Sequence, residues 1–331
     1  MIKKDIIPFH QIYDSVIKKN NIFSNISIYL KNNYFLKIKN LYSTIYIIEG
    51  KERYCKEPLS LLFYGDSQSV NYISQMFFKE KPEVEIIAIC PFWKVNRIVM
   101  NLSRKVDLNI IKTYDFILEY FKKRGFFIIP AWVSLKIDVS RPFSEITKKF
   151  NKSAKRDVKK IKENGYTYEI TTDIEKFKKF YYEIRKPYFS KRIGKKALYG
   201  SDKYNEIKIA FQNGKLFLIK KGNEYASGFV ILTSDNGVSP HFRGTVQEGH
   251  MDQGAGSALN YFLIRWANEQ GYKIINFGHT RTFLNDGILR FKRKWGMTIN
   301  IDKFFTDIFG IKINNYSKWY HSFFNEHYVL F

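Results

Sequence analysis

The 331-residue chain contains only two cysteines, Cys55 and Cys90, and it has no long apolar run. Two cysteines are too few for a disulfide framework or a cysteine-rich metal site. The longest apolar stretches, such as residues 126–133, fall well short of the roughly 18–20 residues that span a bilayer. Residues 1–5 are not followed by the apolar core of a signal peptide, so we expect a soluble, cytoplasmic protein.

The motifs of several enzyme classes are also missing. No group of His, Cys and acidic residues has the spacing of a metal site, so no metal is predicted. The chain lacks the Gly-x-Ser-x-Gly sequence of serine hydrolases and the Gly-x-x-x-x-Gly-Lys-[Ser/Thr] sequence of P-loop proteins. These absences argue against the corresponding chemistries.

Positive charge, by contrast, is abundant, with 55 Lys and Arg against 31 Asp and Glu and a net charge of +24. Residues 141–200 alone hold 18 Lys and Arg against 7 Asp and Glu. Such a concentration is typical of a surface that faces tRNA, an anionic membrane or a nucleotide-linked substrate. A lysine-rich composition with a solvated helix face explains it equally well. With 45% hydrophobic residues, the chain can bury a substantial core.

Hydrophobic periodicity divides the chain into an α/β half, residues 1–134, and a second half, residues 135–331. In the first half it predicts helices at 69–79 and 113–123 and strands at 43–48, 84–90 and 126–137. In the second half it predicts helices at 144–164, after 172–175 and at 202–212, and antiparallel strands at 215–220, 224–233 and 238–246. A glycine-rich turn, a helix and a short strand at 273–277 follow.

The glycine-rich turn comprises residues 253–258 and opens the predicted helix. Such a turn leaves backbone N–H groups unpaired at the positive end of the helix dipole, and together they form an anion site. We therefore predict that the turn binds a diphosphate, and its predicted binding residues are Gln253, Gly254, Gly256, Ser257 and Ala258. A tight strand-to-helix turn without a ligand is the alternative.

This order of elements resembles that of GNAT acyltransferases, and residues 253–258 fit the [Gln/Arg]-x-x-Gly-x-[Gly/Ala] phosphate turn of that superfamily. Residues 135–300 are more closely similar to the FemAB-like branch, which contains peptidoglycan-bridge aminoacyltransferases and related acetyltransferases. The similarity lies in a basic segment at 153–160, a Phe-Lys-x-x-aromatic-Gly segment at 291–296 and a block at 276–281. In that block Asn276 replaces an acid and Thr280 replaces a serine.

The resemblance implies an α/β (α+β) fold with a GNAT-like, mixed and largely antiparallel twisted sheet flanked by helices. FemAB-like chains often contain two GNAT-like halves, so residues 1–134 are a candidate degenerate copy. The implied activity is N-acyl transfer from acetyl-CoA or another acyl-CoA to an amine of a small molecule or a cell-envelope precursor, such as a nucleotide-linked amino sugar. An aminoacyl-tRNA-dependent transferase and a non-catalytic basic protein on a GNAT scaffold are the alternatives. Peripheral membrane contact and oligomeric state stay open.

The resemblance also suggests catalytic residues. Lys292 leads, because the matching lysine lies near the reacting groups, where an ammonium stabilises the oxyanion of acyl transfer; a solvated lysine is the alternative. His279 is a candidate for proton transfer, a role that histidine often takes, and Tyr261 is a candidate proton donor to a leaving thiolate. Asp286 is a further candidate, although a turn residue that accepts local backbone bonds explains it as well.

Three cations are predicted to bind substrate anions. Arg156 and Lys160 belong to the basic helix, whereas Arg281 follows the end of a predicted strand. A salt bridge to Asp286 is the alternative for Arg281. Glu248 is a candidate base in a loop.

Overall fold

The computed structural model describes residues 42–91, 98–99, 101–102, 105–113, 121–193, 204–246, 249–250, 252–282, 286–301 and 308–326. Most of the predicted helix at 113–123, and the candidate base Glu248, lie outside these ranges. Within them, no helix is long and apolar enough to cross a bilayer. The described residues form two β-sheets with helices packed against them.

The first sheet has six strands: β1 (Tyr42–Lys51), β2 (Pro58–Gly65), β3 (Glu83–Pro91), β4 (Leu108–Thr113), β5 (Phe127–Pro130) and β13 (Ile308–Ile313). Their order is β3–β1–β2–β4–β13–β5. Only β2 and β4 run parallel; the other neighbours are antiparallel. Helix α1 (Ser67–Phe77) begins at Asp66, whose carboxylate accepts the Ser69 N–H at 2.9 Å. An aspartate at this position satisfies a donor that the helix leaves unpaired.

The end of the chain completes this first sheet. β13 lies between β4 and β5. Helix α9 (Lys318–Glu326) follows it and buries Trp319 and Phe323 in the same core. Phe323 stacks on Phe77 of α1, with ring centroids 4.1 Å apart. The division of the chain at residues 134 and 135 stays a prediction.

The single strand predicted at 126–137 is wrong, because this stretch forms two strands in different sheets. β5 ends at Pro130 in the first sheet, and β6 (Trp132–Asp138) belongs to the second. The buried residue Ala131 joins them. Apolar residues continue through the junction because both strands are packed in a core, so the pattern contains no polar break.

The second sheet contains β6 and six further strands: β7 (Tyr166–Thr171), β8 (Lys215–Lys221), β9 (Glu224–Thr233), β10 (Gly237–Thr245), β11 (Ile274–Arg281) and β12 (Thr298–Asn300). Their order is β12–β6–β11–β10–β9–β8–β7. Only β10 and β11 run parallel. The predicted meander is β8–β9–β10, and the predicted fold class, α/β with a mixed, largely antiparallel sheet flanked by helices, is confirmed.

The helices of this half are α2 (Phe143–Lys148), α3 (Lys152–Glu163), α4 (Ile174–Lys179), α5 (Lys186–Tyr188), α6 (Tyr204–Gln212), α7 (Ala255–Glu269) and α8 (Gly287–Arg293). π-Helical turns, Phe180–Arg185 and Phe189–Ile193, flank α5. The single helix predicted at 144–164 is wrong, because it is broken before α3. Asn151 caps α3 by accepting the Ala154 N–H at 2.9 Å, and Phe150 turns into the core against Trp295.

Helix α7 is the central helix of the second half. Ala258, Leu259, Leu263 and Ile264 are completely buried, in one core with residues of β8, β9 and β11. Helix α3 contributes Ala154 and Ile161 to the same core, so it lies alongside the sequence that begins α7. This packing fixes the glycine turn between α3 and the sheet.

Gly244 lies where β10 passes the π-helical turn Phe180–Arg185. A Cβ added there would stand 2.8 Å from the Cα of Arg185. We expect Gly244→Ala to lower the free energy of unfolding by about 1–3 kcal/mol, because backbone atoms must move to admit the methyl group. Urea denaturation measures this loss. Gly287→Ala is the control, since no heavy atom lies within 4 Å of its added Cβ. Equal losses in both variants would contradict the packing described.

Candidate functional site

β10 and β11 pair only at their first residues, 237–238 with 274–275. Beyond this point each strand is irregular against its outer neighbour. β10 is bulged against β9 between residues 241 and 244, and β11 is bulged against β6 between residues 276 and 279. Bulges bend strands and interrupt pairing. The two central strands of the sheet therefore part, and we call the space between them the strand gap.

Unusual backbone conformations accompany both bulges. Phe242 in β10 has a φ of 56°, which is uncommon for a residue other than glycine, and Gly278 in β11 has a φ of 71°. The Gly278 N–H donates to the side-chain oxygen of Asn276 at 3.0 Å. Asn276, which stands where the resemblance implies an acid, thus holds the bulge of β11 in place.

The glycine turn begins α7 with a left-handed residue, Gly254, at a φ of 94°. The N–H groups of Ser257 and Ala258 both donate to the Gly254 carbonyl at 2.9 Å. Within the described part of the chain, the N–H groups of Gly254 and Gly256 have no acceptor. A Cβ added at Gly256 would lie 3.8 Å from Thr245 Oγ1, so the turn adjoins the end of β10.

A carboxylate from α3 lies beside this turn. Asp157 Oδ2 accepts the Ser257 hydroxyl at 2.5 Å and the Lys294 ammonium at 2.5 Å. Lys294 Nζ is also 3.3 Å from Ser257 Oγ. The predicted phosphate turn therefore has one acid and one cation of the protein itself at its side, and neither was identified from the sequence.

The other residues predicted to bind anions at the turn have different positions. Gln253 accepts the Lys221 ammonium at 2.8 Å, and Lys160 donates to the backbone carbonyl of Asp252. Arg156 is exposed on α3. Lys160 thus stabilises the backbone that leads into the turn, and Arg156 faces solvent beside it.

Lys292 lies on α8 and reaches the bulge of β11. Its ammonium donates to three backbone carbonyls: Phe277 at 2.7 Å, His279 at 3.1 Å and Gly278 at 3.4 Å. The pKa of Lys292 is lowered to about 8, mainly by burial and also by the nearby Arg243, while Asp286 opposes the shift. The lysine is therefore a partly buried cation that both supports the bulge and faces the strand gap.

Arg243 and Asn260 form a second polar group in the gap, and sequence reasoning missed both. Arg243, on the bulge of β10, donates through Nη2 to Asn260 Oδ1 on α7. Its guanidinium carbon lies 5.9 Å from the ring centroid of Phe229 and 5.3 Å from that of Phe291. Burial lowers the pKa of Arg243 to about 10. The available signals were an arginine inside a central strand and an asparagine among the apolar residues of a helix.

Asp286 caps α8, as the turn alternative for this residue implies. Its Oδ1 accepts the N–H groups of Ile288 and Leu289, both at 2.9 Å, and the Thr280 hydroxyl at 3.1 Å. Within the described part of the chain, Oδ2 has no hydrogen-bond donor. Thr280, which replaces a serine of the resembling block, therefore positions the carboxylate and leaves one of its oxygens available.

β11 continues to Arg281, so the predicted end of the strand at residue 277 is wrong. The bulge at 276–279 breaks the pattern of alternation, which is why the strand seemed to stop there. His279 and Arg281 lie within the strand. The guanidinium carbon of Arg281 is 3.7 Å from the ring centroid of Tyr72 on α1, where burial raises the pKa of the Tyr72 hydroxyl. Among the described residues Arg281 forms no salt bridge with Asp286.

Tyr261 lies away from this group. It is 6% exposed on α7 and packs edge-to-face against Phe143 of α2 and against Phe262, with centroids 6.1 and 5.2 Å apart. The structure thus brings Lys292, Asp286 and Arg243 together, and it places Tyr261 in the core. No three His, Cys or acidic side chains among the described residues lie close enough to hold a metal ion.

No family model matches this chain, and no curated protein matches it. Solved structures with a similar course of the chain do exist. FemX is 14% identical with a TM-score of 0.44, over 94% of this chain and 97% of its own. The structure of L-PGS from Bacillus licheniformis is 12% identical with a TM-score of 0.41, over 81% of each chain. A tandem GNAT protein from the clavulanic acid biosynthesis pathway is 9% identical with a TM-score of 0.32, over 79% and 80%.

These similarities assign no activity. The class of fold follows from the second sheet itself: the meander β8–β9–β10, the glycine turn, α7, and β11 returning parallel to β10. This arrangement, with its central strands parted, has the order of elements that the sequence predicted.

The lowered pKa of Lys292 makes the stability of the protein depend on pH. The unfolded chain holds this proton up to about pH 10.5, whereas the folded chain releases it near pH 8. Between these values the unfolded state binds more protons, so stability rises with pH. We expect the free energy of unfolding, relative to Lys292→Met, to rise by up to about 3 kcal/mol across this window.

Urea denaturation at both ends of the window measures this rise. Lys159→Met is the control, because Lys159 is largely exposed and its removal should give a difference that stays flat with pH. A flat difference for Lys292→Met as well would mean that the ammonium is not shifted.

Proposed function

We propose that this protein is an N-acyltransferase that moves an acyl group from a phosphate-bearing carrier to an amine. The observation that carries the proposal is the strand gap, which has the glycine turn at its edge and two cations, Lys292 and Arg243, beside it. These two features suit such a carrier, because its phosphates are held at the turn while its activated carbonyl reacts beside the cations.

The glycine turn is the proposed phosphate site. The N–H groups of Gly254 and Gly256 point from the positive end of α7 and have no acceptor in the described structure. Lys294 adds a cation beside them once a phosphate replaces its contact with Asp157. The donor that we place here first is an acyl-CoA, whose diphosphate has the charge and oxygen atoms that such a turn binds.

In the proposed reaction the amine nitrogen attacks the carbonyl carbon of the thioester, and a new C–N bond forms. Negative charge develops on the carbonyl oxygen, where the ammonium of Lys292 stabilises it. Lys292 can turn towards this oxygen by giving up its longest contact, the 3.4 Å one to Gly278. The unoccupied Oδ2 of Asp286 accepts the proton that the amine loses. The C–S bond then breaks, and the thiolate takes up that proton to leave as a thiol.

An aminoacyl-tRNA is the second candidate donor, and the exposed surface of α3 favours it. This helix lies against the glycine turn and presents six exposed cations: Lys152, Lys155, Arg156, Lys159, Lys160 and Lys162. A row of cations of this kind suits the backbone of a nucleic acid. The Asp157 carboxylate at the turn also weighs against a diphosphate there, because like charges repel.

Calorimetry with acetyl-CoA and with charged tRNA, at matched ionic strength, distinguishes the two donors. The first candidate requires saturable binding of acetyl-CoA and acetyl transfer to an amine. The second requires binding of tRNA that weakens steeply as salt is raised. If neither donor binds, the protein is a non-catalytic binding protein on this scaffold, and the proposal is wrong.

Asp157→Asn tests whether the turn holds the diphosphate. The substitution keeps the side-chain shape and removes the negative charge next to Ser257. We expect acetyl-CoA to bind about fivefold more tightly, which corresponds to roughly 1 kcal/mol for one charge at a helix N-terminus. Glu163→Gln, at the other end of α3, is the matched control and should leave the affinity unchanged. Unaltered affinity in Asp157→Asn would place the diphosphate elsewhere.

Lys292→Met tests the proposed oxyanion contact. We expect turnover to fall about 100-fold or more, the scale of one lost transition-state contact, while the affinity for the donor changes only a few-fold. Steady-state kinetics and calorimetry on the same preparation measure both quantities. Arg293→Met removes the neighbouring exposed cation of α8 and should leave turnover intact. Normal turnover in Lys292→Met would remove the lysine from the mechanism.

A further inference from the structure

The cations in the strand gap are not balanced by acids. Among the described residues no carboxylate forms an ion pair with Arg243 or Lys292. Asp286 is the acid whose field acts on Lys292, so two cations and one carboxylate leave one positive charge. A charge held away from water is costly unless an anion accompanies it. The gap therefore has one unbalanced positive charge, which a ligand with a single negative charge would neutralise.

Hydrogen-bond donors in the gap also exceed acceptors. Lys292 donates its three N–H bonds to carbonyls, whereas Arg243 uses, among the described residues, one of the five N–H donors of a guanidinium. The Asn260 side chain is completely buried, and its amide nitrogen has no hydrogen-bond partner within the described part of the chain. Burying an unpaired amide costs about 1–3 kcal/mol, so Asn260 is poorly explained by stability alone. The side-chain oxygen of Asn260 accepts a hydrogen bond from Arg243, so Asn260 fixes the orientation of the guanidinium in the gap.

We propose that Arg243, oriented by Asn260, binds a carboxylate group of the substrate, so that the acceptor is an amine that also carries a carboxylate, as amino acids do. This assignment of a substrate class rests on the proposed acyl transfer. The guanidinium fork matches the two oxygens of a carboxylate. The guanidinium also lies over the rings of Phe229 and Phe291, at 5.9 and 5.3 Å from their centroids.

The charge of the gap favours a carboxylate over a phosphate. The gap has one surplus positive charge, which balances a monoanion such as a carboxylate. A phosphate monoester carries close to two negative charges at neutral pH. The glycine turn, where the N–H groups of Gly254 and Gly256 have no acceptor among the described residues, is the separate place for phosphate. Asn260 follows Ser257 by three residues on α7, which puts the two subsites about 4.5 Å apart along the helix axis.

Binding of two small probes tests the subsite without any turnover. Trifluoroacetate is the carboxylate probe and fluorophosphate is the phosphate probe, both observed by ¹⁹F NMR line broadening on the full chain at constant ionic strength. We expect trifluoroacetate to bind, and its affinity to fall at least tenfold in Arg243→Met and several-fold in Arg243→Lys, which keeps the charge and loses the fork. Arg265→Met, an exposed arginine of α7 paired with Glu269, is the matched control. Equal affinity in Arg243→Met and the unsubstituted protein would overturn the proposal.

Asn260→Leu tests the positioning role and guards against a misfolded Arg243 variant. It removes the unpaired amide together with the acceptor of Arg243, and these two effects on stability oppose each other, so we expect the midpoint of thermal unfolding to change little while the affinity for trifluoroacetate falls. A lower midpoint with unchanged affinity would mean that Asn260 is structural and does not orient Arg243. Tighter binding of fluorophosphate than of trifluoroacetate, lost in Arg243→Met, would make the site a phosphate subsite and overturn the carboxylate assignment.

Acceptors complete the test and separate it from the proposed function. Glycine should be a better acceptor than methylamine, and Arg243→Met should remove the difference. A protein that binds trifluoroacetate through Arg243 but transfers no acyl group keeps the subsite and loses the acyltransferase function. Equal transfer to methylamine and glycine, without binding of trifluoroacetate, would keep the acyltransferase function and overturn the carboxylate subsite.

Discussion

Hydrogen bonding between β10 and β11 stops after residues 238 and 275, and the backbone groups beyond that point need other partners. Lys292 provides a partner for three carbonyls of β11, and Asn276 accepts the N–H of Gly278. A side chain from the helix that follows the strand thus replaces the missing neighbour. The gap is stable because these contacts satisfy the backbone at its edge.

The same arrangement determines the electrostatics of the site. A lysine that must reach backbone carbonyls cannot also pair with a carboxylate, so its charge remains in the gap. Arg243 arrives from the opposite strand on a bulge of its own, with an amide rather than an acid as its partner. Asp157, by contrast, is paired at the glycine turn, a separate location on α3 and α7. Charge is therefore neutralised at the turn and left unbalanced in the gap.

Local patterns predicted much of the second half. Turn residues mark the meander β8–β10, and an apolar stripe and a glycine turn mark α7. Each of these elements is therefore predictable from a short stretch of sequence. The features that were missed depend on distant contacts. Asp157 contacts Ser257 across 100 residues of sequence, and Arg243 is distinguished from other strand residues only by its contact with Asn260. The apolar run from β5 to β6 has the pattern of one strand, but it forms two strands that belong to different sheets. Periodicity does not reveal which sheet a strand joins.

The position of β13 has a consequence for how the protein is made. β5 has β13 as its neighbour in the first sheet, and β13 also separates it from β4. During synthesis, residues 127–130 leave the ribosome long before residues 308–313, so the first sheet cannot close until residues 308–313 have been made. Among the described strands of the second sheet, the last to be made is β12, residues 298–300. The first sheet, which contains the earlier described strands, is therefore closed after the second, and a nascent chain that stalls before residue 308 would expose the edges of β4 and β5.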